Sequence, residues 1–209
     1  MSEIPKTRRC VRAHEAEHFR SYIRNCDFMH GRIVGARVAR PEDAAALAGL
    51  LSDPSIGPRI YTMPPVIDEP SMSDLIGDHL MQRARGEGIL FLAFDTAGEA
   101  TAYFDVELWP EWGAAKFGGA VRATRQGRGF GGACGLAAVE WCFDQLGVHR
   151  ICETTARDNH RSIRLLSRLG FEQAGEVTAH RPDGSTRPSL YWELERLRWK
   201  EAQAQRKVG

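Results

Sequence analysis

The sequence predicts an α/β (α+β) fold in which helices pack on a sheet, and three patterns predict it. Apolar runs of strand length, Gly88 to Asp95, Ala100 to Leu108 and Ala114 to Val121, follow one another with only turn signals between them. Segments with apolar residues at helical spacing, Phe130 to Leu146 above all, follow or precede such runs. A glycine-rich, arginine-studded bend from Arg122 to Ala133 joins the third run to that helical segment.

Taken in order, residues 1–31 are crowded with charge, and Val11 to Met29 reads as one amphipathic helix of an N-terminal extension. It contains His14-Glu15-Ala16-Glu17-His18, which fits the pattern of two zinc-binding histidines one turn apart with a water-activating glutamate. Such a site needs a third ligand and a cleft behind the helix, and His30 is the only other histidine nearby. The pair therefore reads as exposed helix residues, and no metal is expected. Ile33 to Ala39 alternates as a strand, and Pro41 opens a helix to Leu51 with Glu42 and Asp43 at its positive end. Asp53 to Pro65, broken by prolines and glycine, is a long loop of the kind that carries function. A helix starting at Ser71 or Ser73 ends with Arg85 before Gly86.

Thr96-Ala97-Gly98 turns the first apolar run into the second, and Trp109 to Gly113 bends the second into the third. Beyond the glycine-rich bend, the helix to Leu146 is capped by Gly147, and Arg150 to Thr155 is a short strand. Ile163, Leu166 and Leu169 share one face of a helix that Gly170 stops. Glu172 to Ala179 and Ser189 to Glu195 are strands joined through Pro182-Asp183-Gly184, and a charged helical tail starts at Arg196. The expected organisation is an extension over 1–31, one catalytic domain over 32–196 and a tail over 197–209.

Lys+Arg 28 against Asp+Glu 27 gives a net charge of +1, so no global field recruits nucleic acid or an anionic membrane. No apolar stretch approaches the roughly 20 residues that span a bilayer, and a cytoplasmic location is expected. The Cys 5 are odd in number and include no C-x-x-C pair; they are expected reduced, with Cys134, Cys142 and Cys152 mostly core.

The bend is the candidate site. At a helix N-terminus the first backbone N–H groups lack intrahelical partners and the dipole adds about half a positive charge, so an anion binds there. Gly127, Gly129, Gly131 and Gly132 let the backbone approach a phosphate closely, and Arg122, Arg125 and Arg128 are expected to ring it with positive charge. A nucleoside-triphosphate loop is excluded, because Gly132 and Ala133 stand where its lysine and hydroxyl belong. Gly127, Gly129 and Gly132 also fit the dinucleotide spacing, with Glu153 placed to bind a ribose, but a basic linker precedes the first glycine and too little chain follows.

Read as Gln126-x-x-Gly129-x-Gly131, the bend resembles the acetyl-CoA pyrophosphate loop of the GNAT superfamily of N-acetyltransferases. Asn159-x-x-Ser162, then Leu169-Gly170-Phe171, resembles the rest of the acetyl-CoA half, in the form of the ribosomal-protein N-terminal acetyltransferases and their small-molecule relatives. The resemblance is clear over about 115–175 and implies a GNAT-type mixed, mostly antiparallel sheet, splayed between the strands ending at Val121 and Thr155. It implies that backbone near Val121 and Arg122 binds the pantetheine arm. It further implies that N–H groups of Gln126, Gly127, Arg128, Gly129, Phe130, Gly131 and Gly132 bind the pyrophosphate, and that Asn159 binds pantetheine.

The expected activity is acetyl transfer from acetyl-CoA to a primary amine, on a protein N-terminus or a small molecule, in one ternary complex. Deprotonating the ammonium needs a carboxylate or ordered water. Glu107 is preferred over Glu111 because strand ends hold geometry better than bends, and Glu107, Asn159 and Ser162 are the candidate catalytic residues. Many relatives carry a tyrosine at the position of Leu166 to protonate the CoA thiolate, for which Ser162 or water would have to serve here. Many also carry an acid where this chain has Lys116; with Leu166, this leaves a catalytically impaired acyl-CoA sensor or interaction module as the alternative. The acceptor is expected between the Pro54 to Pro65 loop and the Ser185 to Pro188 turn, against Tyr61, Met63, Trp109 and Trp112. The reading admits a homodimer.

Overall fold

The three successive apolar runs form adjacent antiparallel strands, β2 (Gly88–Phe94), β3 (Ala100–Trp109) and β4 (Ala114–Val121). The computed structural model describes residues 3–28, 36–57, 60–126, 129–181 and 183–208. A short β1 (Ala36–Val38) pairs with β2 at one edge, so the described part of the first predicted strand is shorter than expected; His30 lies outside the described residues. On the other side β5 (Arg150–Ala156) runs parallel to β4 and is followed by β7 (Thr186–Glu195) and β6 (Glu172–His180). The seven strands form one sheet in the order β1-β2-β3-β4-β5-β7-β6, mixed and mostly antiparallel as expected.

Strand alternation sends β2 and β3 residues to opposite faces. One face carries Phe91, Phe104 and Val106 into a core shared with Trp141, whose ring meets Phe91 edge-on at 5.5 Å. Into this core α1 (Ala13–Asn25) inserts Phe19 and Ile23, so the N-terminal helix is packed on the domain. Residues before it run along β7 and β6. Lys6 N–H donates to Tyr191 Oη at 3.0 Å, the Thr7 hydroxyl to Glu193 at 2.9 Å and Thr178 N–H to Glu3 at 2.7 Å. The opposite face buries Leu90, Leu92 and Tyr103 under α2 (Ala44–Leu51) and α3 (Glu69–Arg85).

Several boundaries differ from expectation for physical reasons. A 3-10 turn, Pro41–Asp43, precedes α2, and Arg37 pairs with the buried Asp43 at 2.7 Å. α3 starts at Glu69, because Asp68 caps it by accepting from Ser71 N–H at 2.9 Å and Pro70 fits the first turn. β7 begins at Thr186 and includes Pro188, which lies beyond the last β5 pair, Ala156 with Ser189, where a missing N–H is tolerated. The long helix after the glycine-rich bend is α4 (Phe130–Glu140) continued by a π-helical turn, Trp141–Leu146, whose Trp141, Cys142, Phe143 and Leu146 are all buried. Gly147 closes it at φ 86°. α5 (His160–Leu169) ends at Gly170, and α6 (Arg196–Val208) holds Trp199 against Phe143 at 5.5 Å. Among the described residues no helix is long and apolar enough to cross a membrane.

Candidate functional site

The parallel strands β4 and β5 pair only at Ala114 with Arg150 and Ala115 with Ile151, then separate. Where the ladder stops, Phe117 N–H donates to the Glu153 carboxylate at 2.8 Å, so a side chain from β5 holds β4 at the fork. Above the fork β4 is built of Gly118, Gly119, Ala120 and Val121, and these line a cavity of about 270 Å³ that passes through the opening. The close approach is at Gly119, where a Cβ would stand 2.8 Å from the backbone oxygen of Tyr103. Phe104, Phe117, Cys134 and Ala138 close the α4 side, and Ser55, Ile56, Ile60 and Tyr103 the side of the long loop.

At the top of the opening the chain turns through a 3-10 segment, Ala123–Arg125, and reaches α4 through Gly129 at φ 77°, a left-handed conformation that favours glycine. A Cβ on Gly129 or Gly132 would meet nothing within 4 Å, and one on Gly131 only Arg161 Nη2 at 3.7 Å. The first amides of α4 therefore face open space beside a guanidinium, an arrangement that fits a diphosphate. Gln126 ties the turn in place, donating to Val121 O at 2.7 Å and accepting from Arg161 Nη1 at 2.6 Å.

Arg161 was not singled out from the sequence; its position in the first turn of α5, just after Asn159, was the available signal. Arg122 departs from the expected ring of charge, since its guanidinium turns to Ala100 O at 2.8 Å and Glu99 at 3.2 Å. Its backbone N–H donates to Thr101 O at 2.8 Å. Arg125 is exposed; Gly127, Arg128 and the Phe130 side chain lie outside the described residues.

Asn159 caps α5 by accepting from Ser162 N–H at 3.1 Å, and both residues line the cavity with Leu165. Leu166 is buried in the main core. Cys134, expected in the core, lies on the cavity wall, where burial pushes its thiol up to about 11, so it serves there as an uncharged surface.

On the α3 side of the fork the sheet presents Asp105 and Glu107 from β3 and Lys116 from β4. Glu153 of β5, two residues on from Ile151 and paired with Trp192 of the main core, lies on the opposite face. Glu153 is buried, and burial pushes its carboxyl up to about 8; the Phe117 N–H and Lys116 oppose this, while Asp105 and Glu107 add to it. A carboxyl poised near neutrality is a candidate proton acceptor. The sequence offered one signal for this role, the only acid of its strand. Glu107 lies opposite Lys116, and neither it nor Glu153 is among the residues lining the cavity. It is exposed, so solvent screening limits the upward push that desolvation gives its carboxyl. Glu111 is ion-paired to Arg20 of α1.

The aromatic wall is placed differently from expectation. Trp109 packs against Cys152, Val177 and Tyr191, Trp112 lies under Arg8, and Met63 is buried beneath α2 and α3. Tyr61 alone of the four stands at the rim, with its hydroxyl 3.4 Å from Ser185 O. Glu15 of the histidine pair is occupied by Arg12 N–H at 3.1 Å and His149 at 3.4 Å. Among the described residues no group of three or more His, Cys, Asp or Glu is placed to hold a metal.

With this geometry in view, residues 34–172 match the family model described as an acetyltransferase (GNAT) domain. Solved structures with the same fold include a ribosomal-protein-S5-alanine acetyltransferase from Vibrio fischeri, 15% identical, covering 78% of this chain and 93% of that one with a TM-score of 0.65. Mycobacterium smegmatis RimJ, solved in complex with CoA-disulfide, is 21% identical over 77% of this chain and 80% of its own, TM-score 0.65. A spermidine N-acetyltransferase from Vibrio cholerae is 18% identical over 79% of this chain and 97% of its own, TM-score 0.63.

Proposed function

Because the chain belongs to the GNAT acetyltransferase family and is an acyltransferase, we propose that it moves an acetyl group from acetyl-CoA to a primary amine by direct attack. The observation that carries this reading is the fork: a cavity runs along β4 where it has parted from β5 and reaches Gln126 and Gly131 at the start of α4. Acetyl-CoA supplies an acyl group activated as a thioester. Backbone N–H groups of Gly129 to Gly132, with Arg161 beside them, hold the diphosphate. Asn159 and Ser162 flank the arm that runs down the opening.

The acceptor arrives from the side of Ser55, Ile56 and Ile60. Glu153, directly or through one water, takes the proton from the ammonium, leaving the nitrogen lone pair free to attack the carbonyl carbon. A C–N bond then forms, the C–S bond breaks as the nitrogen sheds its second proton to water, and CoA leaves as a thiolate that gains a proton from water, directly or relayed through the Ser162 hydroxyl. Alignment of the two reactants in one narrow opening supplies much of the rate.

Release of CoA thiol, followed with purified protein and a panel of amines, tests the proposal. Turnover on at least one amine is expected, with a loss of about 100-fold in Glu153→Gln, the scale of a removed general base. Leu166, buried where many relatives carry tyrosine, is the observation favouring a sensor. Tight CoA binding with no turnover on any amine would establish that second reading instead.

A further inference from the structure

The loop after α2 and the hairpin between β6 and β7 meet at the rim of the cavity, and positive charge collects there. Tyr61 joins them: its hydroxyl donates to Ser185 O at 3.4 Å, Arg181 Cζ lies 4.5 Å from its ring centre and Arg187 Cζ 4.0 Å. Ile60, next to Tyr61, lines the cavity, and so does Asn159, next to the Asp158 whose charge acts on Arg187. Two guanidiniums thus gather on one aromatic ring at the acceptor side of the opening.

The pair differs from several arginines that meet an acid. Arg20, Arg83, Arg157 and Arg198 each meet a carboxylate. Among the described residues no carboxylate comes within ion-pair distance of Arg181 or Arg187, although Asp+Glu 27 nearly balance Lys+Arg 28 overall. Arg187 Nε donates only to Ser189 Oγ at 3.4 Å. The hairpin's own acid, Asp183, accepts from Ser185 N–H at 2.8 Å. Like charges held together with Asp158 and Asp183 acting on them only from beyond ion-pair distance are further relieved by an arriving anion, and two planar forks suit a carboxylate or phosphate.

Resting on the acetyltransferase reading above, we propose that Arg181 and Arg187, gathered on Tyr61, bind a carboxylate or phosphate carried by the amine acceptor. The anion sits at the rim while the amine reaches past Ile60 to the fork. A polyamine meets repulsion at the same place, which sets this site apart from one built for a cationic acceptor.

Paired acceptors test this with acetyl-CoA at saturation. One pair is the peptide amides Ala-Glu-Glu and Ala-Gln-Gln; the other is O-phosphoethanolamine and ethanolamine; spermidine completes the set. The anionic member of at least one pair is expected to show kcat/KM at least about tenfold above its neutral partner, a charge-assisted contact of ordinary strength. An advantage in the peptide pair identifies a carboxylate on a polypeptide, and one in the second pair a phosphate on a small amine. In R181Q/R187Q that advantage disappears while the neutral member changes less than about twofold and KM for acetyl-CoA holds, as expected of a contact confined to the anion. The single variants R181Q and R187Q, each losing part of the advantage, carry the test should the double variant fail to fold. Equal rates within both pairs, a preference for spermidine, or an anionic preference that survives in R181Q/R187Q would overturn the proposal while leaving the acetyltransferase reading intact. No turnover on any amine would overturn that reading, and this proposal with it.

Discussion

Glu153 stands where strand pairing ends, so its carboxylate accepts the Phe117 N–H at the fork, and it is the group proposed to take the acceptor's proton. Its raised pKa has two consequences of opposite sign. For activity, kcat/KM should rise with pH and level off above about 8, as the carboxylate becomes available, and Glu153→Gln should lose that limb along with most of the rate. For stability, the folded protein holds this proton more tightly than the unfolded chain, whose glutamates titrate near about 4.3. Stability from this group is full below that value and is lost as pH rises through about 8; denaturation across the window should show the slope in the parent and its absence in Glu153→Gln.

Gly132 offers a cleaner probe of the phosphate site. A side chain there meets nothing, and an acid in the first helical turn stabilises the helix by about 0.3–1 kcal/mol. Gly132→Glu should therefore melt no lower than the parent yet bind acetyl-CoA at least about tenfold more weakly, because its charge opposes the diphosphate. Unchanged affinity by calorimetry would remove the diphosphate from this turn.

At the scale of elements, what the sequence made legible was what local chemistry decides. β4 ends at Val121 as expected because the turn and glycines follow at once, and α5 begins after Asn159 because an asparagine cap closes on Ser162 N–H. Asn159→Ala should cost about 1 kcal/mol of stability, read by denaturant melts, and weaken acetyl-CoA as well; a stability loss alone would make the residue a cap and nothing more. Tertiary contacts decided the rest. Arg122 was expected over the bend and instead follows Glu99 and Ala100 O, while Arg161 comes to the bend from a helix distant in sequence. Neither outcome has a periodicity. The π-turn was equally hidden, since Trp141, Cys142, Phe143 and Leu146 are apolar whether the helix is α or π. Of the acids, Glu107 and Glu153 lie on opposite faces of the sheet, and the burial of Glu153 depends on where β4 and β5 separate, which strand alternation alone does not say.

The molecule as a whole is two sheet arms joined at a short hinge of pairing. β1 to β4 form one arm under α2 and α3, β5 to β7 the other, and the arms meet through the pairs at Ala114 and Ala115. The N-terminal residues strengthen the second arm, lying along β7 and β6 and reaching β5, where Arg150 donates to Thr7 O at 3.0 Å. Above the fork the facing edges of β4 and β5 lack strand partners, so their amides are protected only by local structure. A ligand lying between the arms bridges them and binds the folded state alone, which at 100 times its Kd stabilises the protein by about 2.7 kcal/mol. Acetyl-CoA should raise the melting temperature and slow hydrogen exchange in Gly118 to Val121 and Thr154 to Ala156. The pairs below the fork, already bonded, should change little. Slowing confined to surface loops, with the two facing edges unaffected, would place the ligand outside the opening and separate acetyl-CoA binding from the parted strands.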